Sequence, residues 1–215
     1  MARNKYPERT VEKILQVSLK LFNEKGYEKT TIQDIVNELG MSKGAIYHHF
    51  KSKEEIVEAI SQSCYQNNQT IPALLQDSSK SGLEKLQLII MSQMSDETKK
   101  DVDTLSLNLW KNPKIFMMSM KENLDVNAKL VETILEEGIQ DGSITVEEPH
   151  YTAQILMLLL NYWVYSPTIS DVGPETIGQR IHYLRKLCVS IGVDLINDEI
   201  EQKLTAYFKM LYART

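Results

Sequence analysis

The segment TTIQDIVNELGMSKGAIYHHFKSKEEI, residues 30–56, sets three helix starts so close together that only short helices fit between them. Thr31 has a hydroxyl to cap orphan amides and Asp34 three residues on to answer it; Ser42 can cap again, and Ser52 with Glu55 repeats the capping-box pattern. Gly40 permits the positive φ of a tight turn. The spacing predicts a two-turn helix after Thr31 with Ile32, Ile35, Val36 and Leu39 inward, then a helix from Ser42 to about His49 anchored by Ala45, Ile46 and Phe50. A fourth helix starts at Ser52 and runs through Ile56, Ile60 and Cys64 to the region of Pro72. Ahead of them, Val11, Ile14, Leu15, Leu19 and Phe22 recur at helical spacing and predict a helix from Pro7 to Lys25, closed by Gly26.

The remainder stays helical in pattern. The expected helices are 82–94, 97–110, 113–140, 149–165, 175–191 and 198–212, separated by the loop-rich DSSKSG, KNP, DGSITVEEP and SPTISDVGP. No stretch alternates as a strand beyond the short SITVEE, so the fold class is all-α. At 215 residues the chain could hold one large or two small domains. The charged start MARNKYPERT does not read as a signal peptide, and the apolar run from Ile155 to Tyr165 is interrupted by Asn161 and is well short of the roughly 20 residues a bilayer requires. A cytoplasmic protein without membrane contact is expected. Cys64 and Cys188, the two cysteines, lie far apart without CxxC spacing, which argues against a zinc knuckle or a disulfide framework, and they read as small apolar fillers.

Two short helices joined by a Gly-containing turn form the helix-turn-helix pattern, whose second helix enters the major groove of DNA. With Ile46 and Phe50 inward, Lys43, Gly44, Tyr47 and His48 fall on outer faces. Gly44 costs about 1 kcal/mol relative to Ala in a helix, which makes sense where a partner must approach the backbone closely. Lys43 can reach a base edge or a phosphate, Tyr47 and His48 offer polar tips to phosphates, and Lys51 and Lys53 add cations beside the next helix start. Charge agrees: residues 1–53 hold ten Lys and Arg against six Asp and Glu, whereas the rest holds fourteen against twenty-three. With Arg3 or Lys5 added, two copies would neutralise roughly six to ten phosphates, and log K would fall by about 0.9 per phosphate against log salt. Adjacent His48 and His49 diverge on a helix and lack further ligands at supporting spacing, so no metal and no cofactor are expected.

The stretch from Gly26 to Ile56 resembles the DNA-binding region of the TetR family of bacterial helix-turn-helix transcriptional regulators, through Gly26-Tyr27, Thr30-Thr31, Gly40, Lys43-Gly44, Tyr47, Phe50 and Lys53. The resemblance implies an N-terminal three-helix DNA-binding domain, residues 1–53, linked by the helix from 52 to a C-terminal helical ligand-binding and dimerisation domain, residues 54–215. It implies a homodimer on a palindromic double-stranded operator, usually as a repressor, with a small-molecule effector. By position, the family's DNA contacts fall on Thr30 or Thr31, Ser42, Lys43, Gly44, Tyr47, His48, His49 and Lys53; His48 stands where an aromatic residue, often tyrosine, is common. An enzyme is the first rival class, but no phosphate loop, metal spacing or Ser-His-Asp arrangement is present. The second rival is a helical module that binds protein; its affinity would depend far less on salt.

For the effector, soft bulky residues are the candidates: Met91, Met94, Trp110, Phe116, Met117 and Met120 could line an adaptable cavity. Asn161 is an amide inside ILMLLLNYWVY that must find a partner when buried, in a ligand or across subunits, with Tyr162, Trp163 and Tyr165 beside it. The helices 149–165 and 175–191 are expected in the dimer interface. The helix from Ser52 to about Ile71 would carry the effector's influence to the DNA reader.

Overall fold

The computed structural model describes residues 7–66, 70–167, 169 and 171–214. Among the described residues there is no strand, and no helix is long and apolar enough to cross a membrane.

The first three helices are α1 (Pro7–Lys25), α2 (Ile32–Leu39) and α3 (Lys43–His49). Their punctuation is as the sequence predicts. Thr31 caps α2 in a reciprocal box, its hydroxyl accepting from Asp34 N at 3.1 Å while the Asp34 carboxylate accepts from Thr31 N at 2.9 Å. Gly40 closes α2 at φ +63°, a left-handed conformation that a side chain would strain. Ser42 Oγ accepts from Ala45 N at 3.2 Å and starts α3. Ile14, Phe22, Ile35 and Ile46 converge, each no more than 1% exposed.

Helix α4 (Lys53–Gln66) follows, its start held by Ser52 Oγ accepting from Glu55 N; the Glu55 carboxylate reaches one residue further back than a capping box, to Lys51 N at 2.7 Å. The expected run to Pro72 is helical wherever it is described, as α4 and as α5 (Thr70–Gln76), which contains Pro72; residues 67–69 between them lie outside the described residues. The side chain of Cys64 lies outside the described residues.

The other helices are α6 (Gly82–Ser95), α7 (Glu97–Leu109), α8 (Pro113–Glu122), α9 (Ala128–Asp141), α10 (Pro149–Leu158), α11 (Ile177–Ser190) and α12 (Asp198–Ala213). The expected single helix 113–140 is continuous in path but carries a π-helical turn at Asn123–Asn127, and another π-helical turn, Leu159–Trp163, extends α10. SITVEE is a loop whose Thr145 N–H donates to Gly192 O at 2.9 Å. Gly82 and Gly138 let α6 and α9 touch: a Cβ on Gly82 would lie 2.4 Å from the Gly138 backbone nitrogen.

Two cores result. One gathers α6 and α9–α12 around Ile134, Leu135, Leu156, Ile181 and Leu184. The other belongs to α1–α4, but Val102, Leu105 and Leu109 of α7 and Ile115 of α8 complete it. Helix α7 therefore has one face in each core, because Leu107 and the following Trp110 pack into the C-terminal one.

Candidate nucleic-acid interface and the cavity behind it

Helix α3 is pinned by Ile46, fully buried, and by Phe50 after its end, 7% exposed. This leaves Ser42, Lys43, Gly44, Tyr47 and His48 exposed together. Tyr47 is 45% exposed, and Lys43 Nζ lies 5.9 Å from its ring centroid. The His48 and His49 rings meet edge to face at 5.2 Å, with His49 half-buried. A Cβ on Gly44 would meet nothing within 4 Å, so packing within the protein does not demand glycine there. Thr31 and Lys51 are exposed beside this face.

Two expected contact residues are elsewhere. Thr30 is fully buried, its hydroxyl donating to Leu21 O at 3.2 Å and Gly26 O at 2.9 Å, so it ties α1 to the start of α2 and offers no surface. Lys53 turns inward: its ammonium donates to Tyr27 O at 2.7 Å and Thr30 O at 2.9 Å and lies 4.2 Å from the Tyr27 ring centroid. Arg3 and Lys5 lie outside the described residues. Asp34, hydrogen-bonded by the Thr31 hydroxyl and backbone and paired with Lys25 at 3.2 Å, has its carboxyl lowered to about 2.

Behind the reader, a cleft of about 320 Å³ opens between α4, α7 and α8, lined by Glu54, Glu58, Trp110, Met118 and Glu122. Through Trp110, Ser106 and Glu122 it borders a void of about 30 Å³, which shares Lys99, Asp103, Asn127, Asn161 and Tyr165 with a mostly apolar pocket of about 180 Å³ that opens to the surface. Burial, with Glu58 nearby, raises the Glu122 carboxyl.

The structure divides the expected effector residues. Met94, Asn161 and Tyr165 line the apolar pocket, and Trp110 the cleft and void. Asn161 is only half-buried, and its amide is answered locally, Nδ2 donating to Met157 O at 2.9 Å. Met91, Phe116 and Met120 pack against the C-terminal core, with Phe116 edge-on to Trp110 and Tyr162. Tyr162 is 6% exposed and its hydroxyl is engaged by Ser119 and Asn123. Met117 is a correction: at 59% exposed it points to solvent, since Ile115 and Phe116 take the inward positions of α8.

The sequence reading missed the polar end of the cavity. Lys99 pairs with Asp103, whose second oxygen accepts from the buried Tyr207 hydroxyl at 2.7 Å. The available signal was a carboxylate at position 103 between Val102 and Leu105, with a lysine one turn before it.

The pattern described as bacterial regulatory proteins of the tetR family matches residues 14–60. The chain is 54% identical over 46 residues to the uncharacterised transcriptional regulator YerO of Bacillus subtilis, a match covering 21% of this chain and 16% of that protein. It is 27% identical over 187 residues to the transcriptional repressor KstR2 of Mycolicibacterium smegmatis, covering 79% of this chain and 85% of that one. Among solved structures, GusR of Salmonella enterica superposes with a TM-score of 0.64 at 17% identity over 99% of this chain and 100% of that chain. That likeness is one of fold.

Proposed function

Since this chain belongs to the TetR family of bacterial helix-turn-helix transcriptional regulators, and so is no enzyme, we propose that it acts as a homodimeric repressor released from a palindromic operator by a small molecule. The observation that carries the reading is the outer face of α3, where Lys43, Gly44, Tyr47 and His48 stand exposed on a helix too short to serve the core with more than Ile46. Ser42, His49, Lys51 and Thr31 flank this face as phosphate contacts. Thr30 and Lys53 hold its scaffold. Such a protein works in the cytoplasm, where bacterial operators are.

Dimerisation is supported by exposed apolar side chains on the two helices expected to pair. Tyr151 and Ile155 of α10 are 61% and 49% exposed, and Tyr183 and Val189 of α11 are 55% and 54% exposed. A face of this kind is what a four-helix interface from two subunits covers. Two recognition helices then meet successive major grooves when roughly 34–36 Å apart.

Release needs the cavity to bias that separation. A reader on residues 1–53, with α4 leading from it, is joined to the rest by α7, whose Asp103 touches the cavity while Val102 and Leu105 sit in the reader's core. A ligand that prefers one placement of α7 and α4 shifts the dimer's population.

Selection of the purified protein against random duplex DNA, with Tyr47→Ala alongside, tests the reading. An inverted repeat enriched by the parent and not by the variant is the expected result. Enrichment of no sequence, or equal enrichment by both, overturns it.

A further inference from the structure

We propose that the apolar pocket beside Asn161 takes an uncharged, largely apolar molecule bearing one hydrogen-bond acceptor, such as an ester, lactone or amide carbonyl. This rests on the effector-responsive reading above and names the effector's chemical class.

The walls are mostly hydrocarbon: Ile90, Met94, Leu130, Met157 and Leu160 face the space. The charges at its edge are already matched. Lys99 pairs with Asp103, the side chains are only 13% and 9% exposed, and the Tyr207 hydroxyl takes the other carboxylate oxygen. A charged ligand would give up water against a mostly apolar wall that offers no uncompensated countercharge, or would have to break that pair and strand one of its members.

One lining group does ask for a partner. Gln93 Nε2 is buried and has no hydrogen-bond partner among the described residues. Buried donors are rarely left unpaired, so an acceptor on a bound molecule accounts for a glutamine among isoleucines and methionines. At about 180 Å³ the space is below the roughly 300–1,000 Å³ of sites for drug-sized ligands, which sets the occupant's size as small.

The test is calorimetric titration of the full chain with methyl esters of straight-chain acids from hexanoate to dodecanoate. The matching carboxylates and alkyltrimethylammonium ions are titrated alongside, all below micelle-forming concentrations. Expected is saturable binding of at least one ester, about tenfold or more tighter than either ion of the same length, and weakened about fivefold or more by Gln93→Leu, which removes the donor while keeping the side chain's bulk. An ion that binds as tightly as the ester, no saturable ester binding, or an unchanged affinity in Gln93→Leu overturns the proposal. Operator binding by ligand-free protein is measured separately, so loss of DNA reading with intact ester binding would fault the regulator reading and leave the cavity's chemistry standing.

Discussion

Lys53 Nζ lies 4.2 Å from the Tyr27 ring centroid and donates to Tyr27 O at 2.7 Å, so the first residue of α4 is fastened to the turn between α1 and α2. A lysine spent in this way is not available to phosphate. Lys53→Met should lower stability by about 1–2 kcal/mol, because it removes charge-assisted hydrogen bonds and the cation from the ring face, while leaving the salt slope of operator binding unchanged. Lys43→Ala should do the reverse, keeping the melting temperature and reducing the slope by about 1 for each phosphate it no longer neutralises. Denaturant unfolding and binding at several salt concentrations separate the two.

Tyr47 is exposed and Ile46 beside it is fully buried, which divides recognition from folding within one helix. Tyr47→Phe, which removes only the hydroxyl, should weaken operator binding about fivefold or more if that group reaches a phosphate, with an unchanged thermal midpoint. Ile46→Ala should instead cost about 2–5 kcal/mol of stability. Equal operator affinity in Tyr47→Phe would assign the tyrosine's contribution to its ring.

Asp34 makes the reader sensitive to acid. Its carboxyl is held at about 2 against an ordinary 3.8 by the Thr31 hydroxyl and amide and by Lys25. A folded-state value below the unfolded one contributes stability that is fully present above pH 3.8 and is lost as pH falls through about 2. Acid titration followed by circular dichroism should show that Asp34→Asn loses stability at neutral pH and shows a smaller further loss across that window than the parent.

The capped helices of the first quarter were legible because their signals are local. Thr31 with Asp34, Gly40 and Ser42 each act within four residues, and each stands where sequence spacing puts it. Lys53 was misplaced for the opposite reason, since its partner Tyr27 is distant in sequence, and Thr30 because, although Gly26 is only four residues away, a polar side chain does not announce that it turns inward. The π-helical turn at Asn123–Asn127 was invisible because one widened turn carries no residue-type signature of its own. Met117 was misjudged because methionine suits core and surface alike, and the choice among Ile115, Phe116 and Met117 depends on the helix's rotation against Trp110.

Gly82 and Gly138 differ in what surrounds them. A Cβ on Gly82 would strike the Gly138 backbone at 2.4 Å, whereas one on Gly138 would strike the Ile144 side chain at 2.5 Å. Backbone cannot move without parting α6 from α9, but an isoleucine can change rotamer. Gly82→Ala should cost about 3 kcal/mol or more, at or beyond the upper range for overpacking, and Gly138→Ala clearly less. Paired thermal melts decide; equal losses would mean that the Ile144 site is as rigid as the helix crossing.

Tyr183 and Val189 are more than half exposed on α11, and the Tyr183 ring is 6.1 Å from Trp163, so the apolar surface continues from α11 to the turn that extends α10. If a second copy covers this surface, a charge placed in it must be desolvated without a partner when two chains meet, yet costs the isolated chain little because the site is already in water. Val189→Glu should therefore shift the protein from dimer to monomer in sedimentation while its helical content is preserved. Operator affinity should fall by about a hundredfold or more, because one reader alone loses the linkage of two half-sites. A dimer that survives Val189→Glu and Tyr183→Glu together would place the subunit interface on a different face.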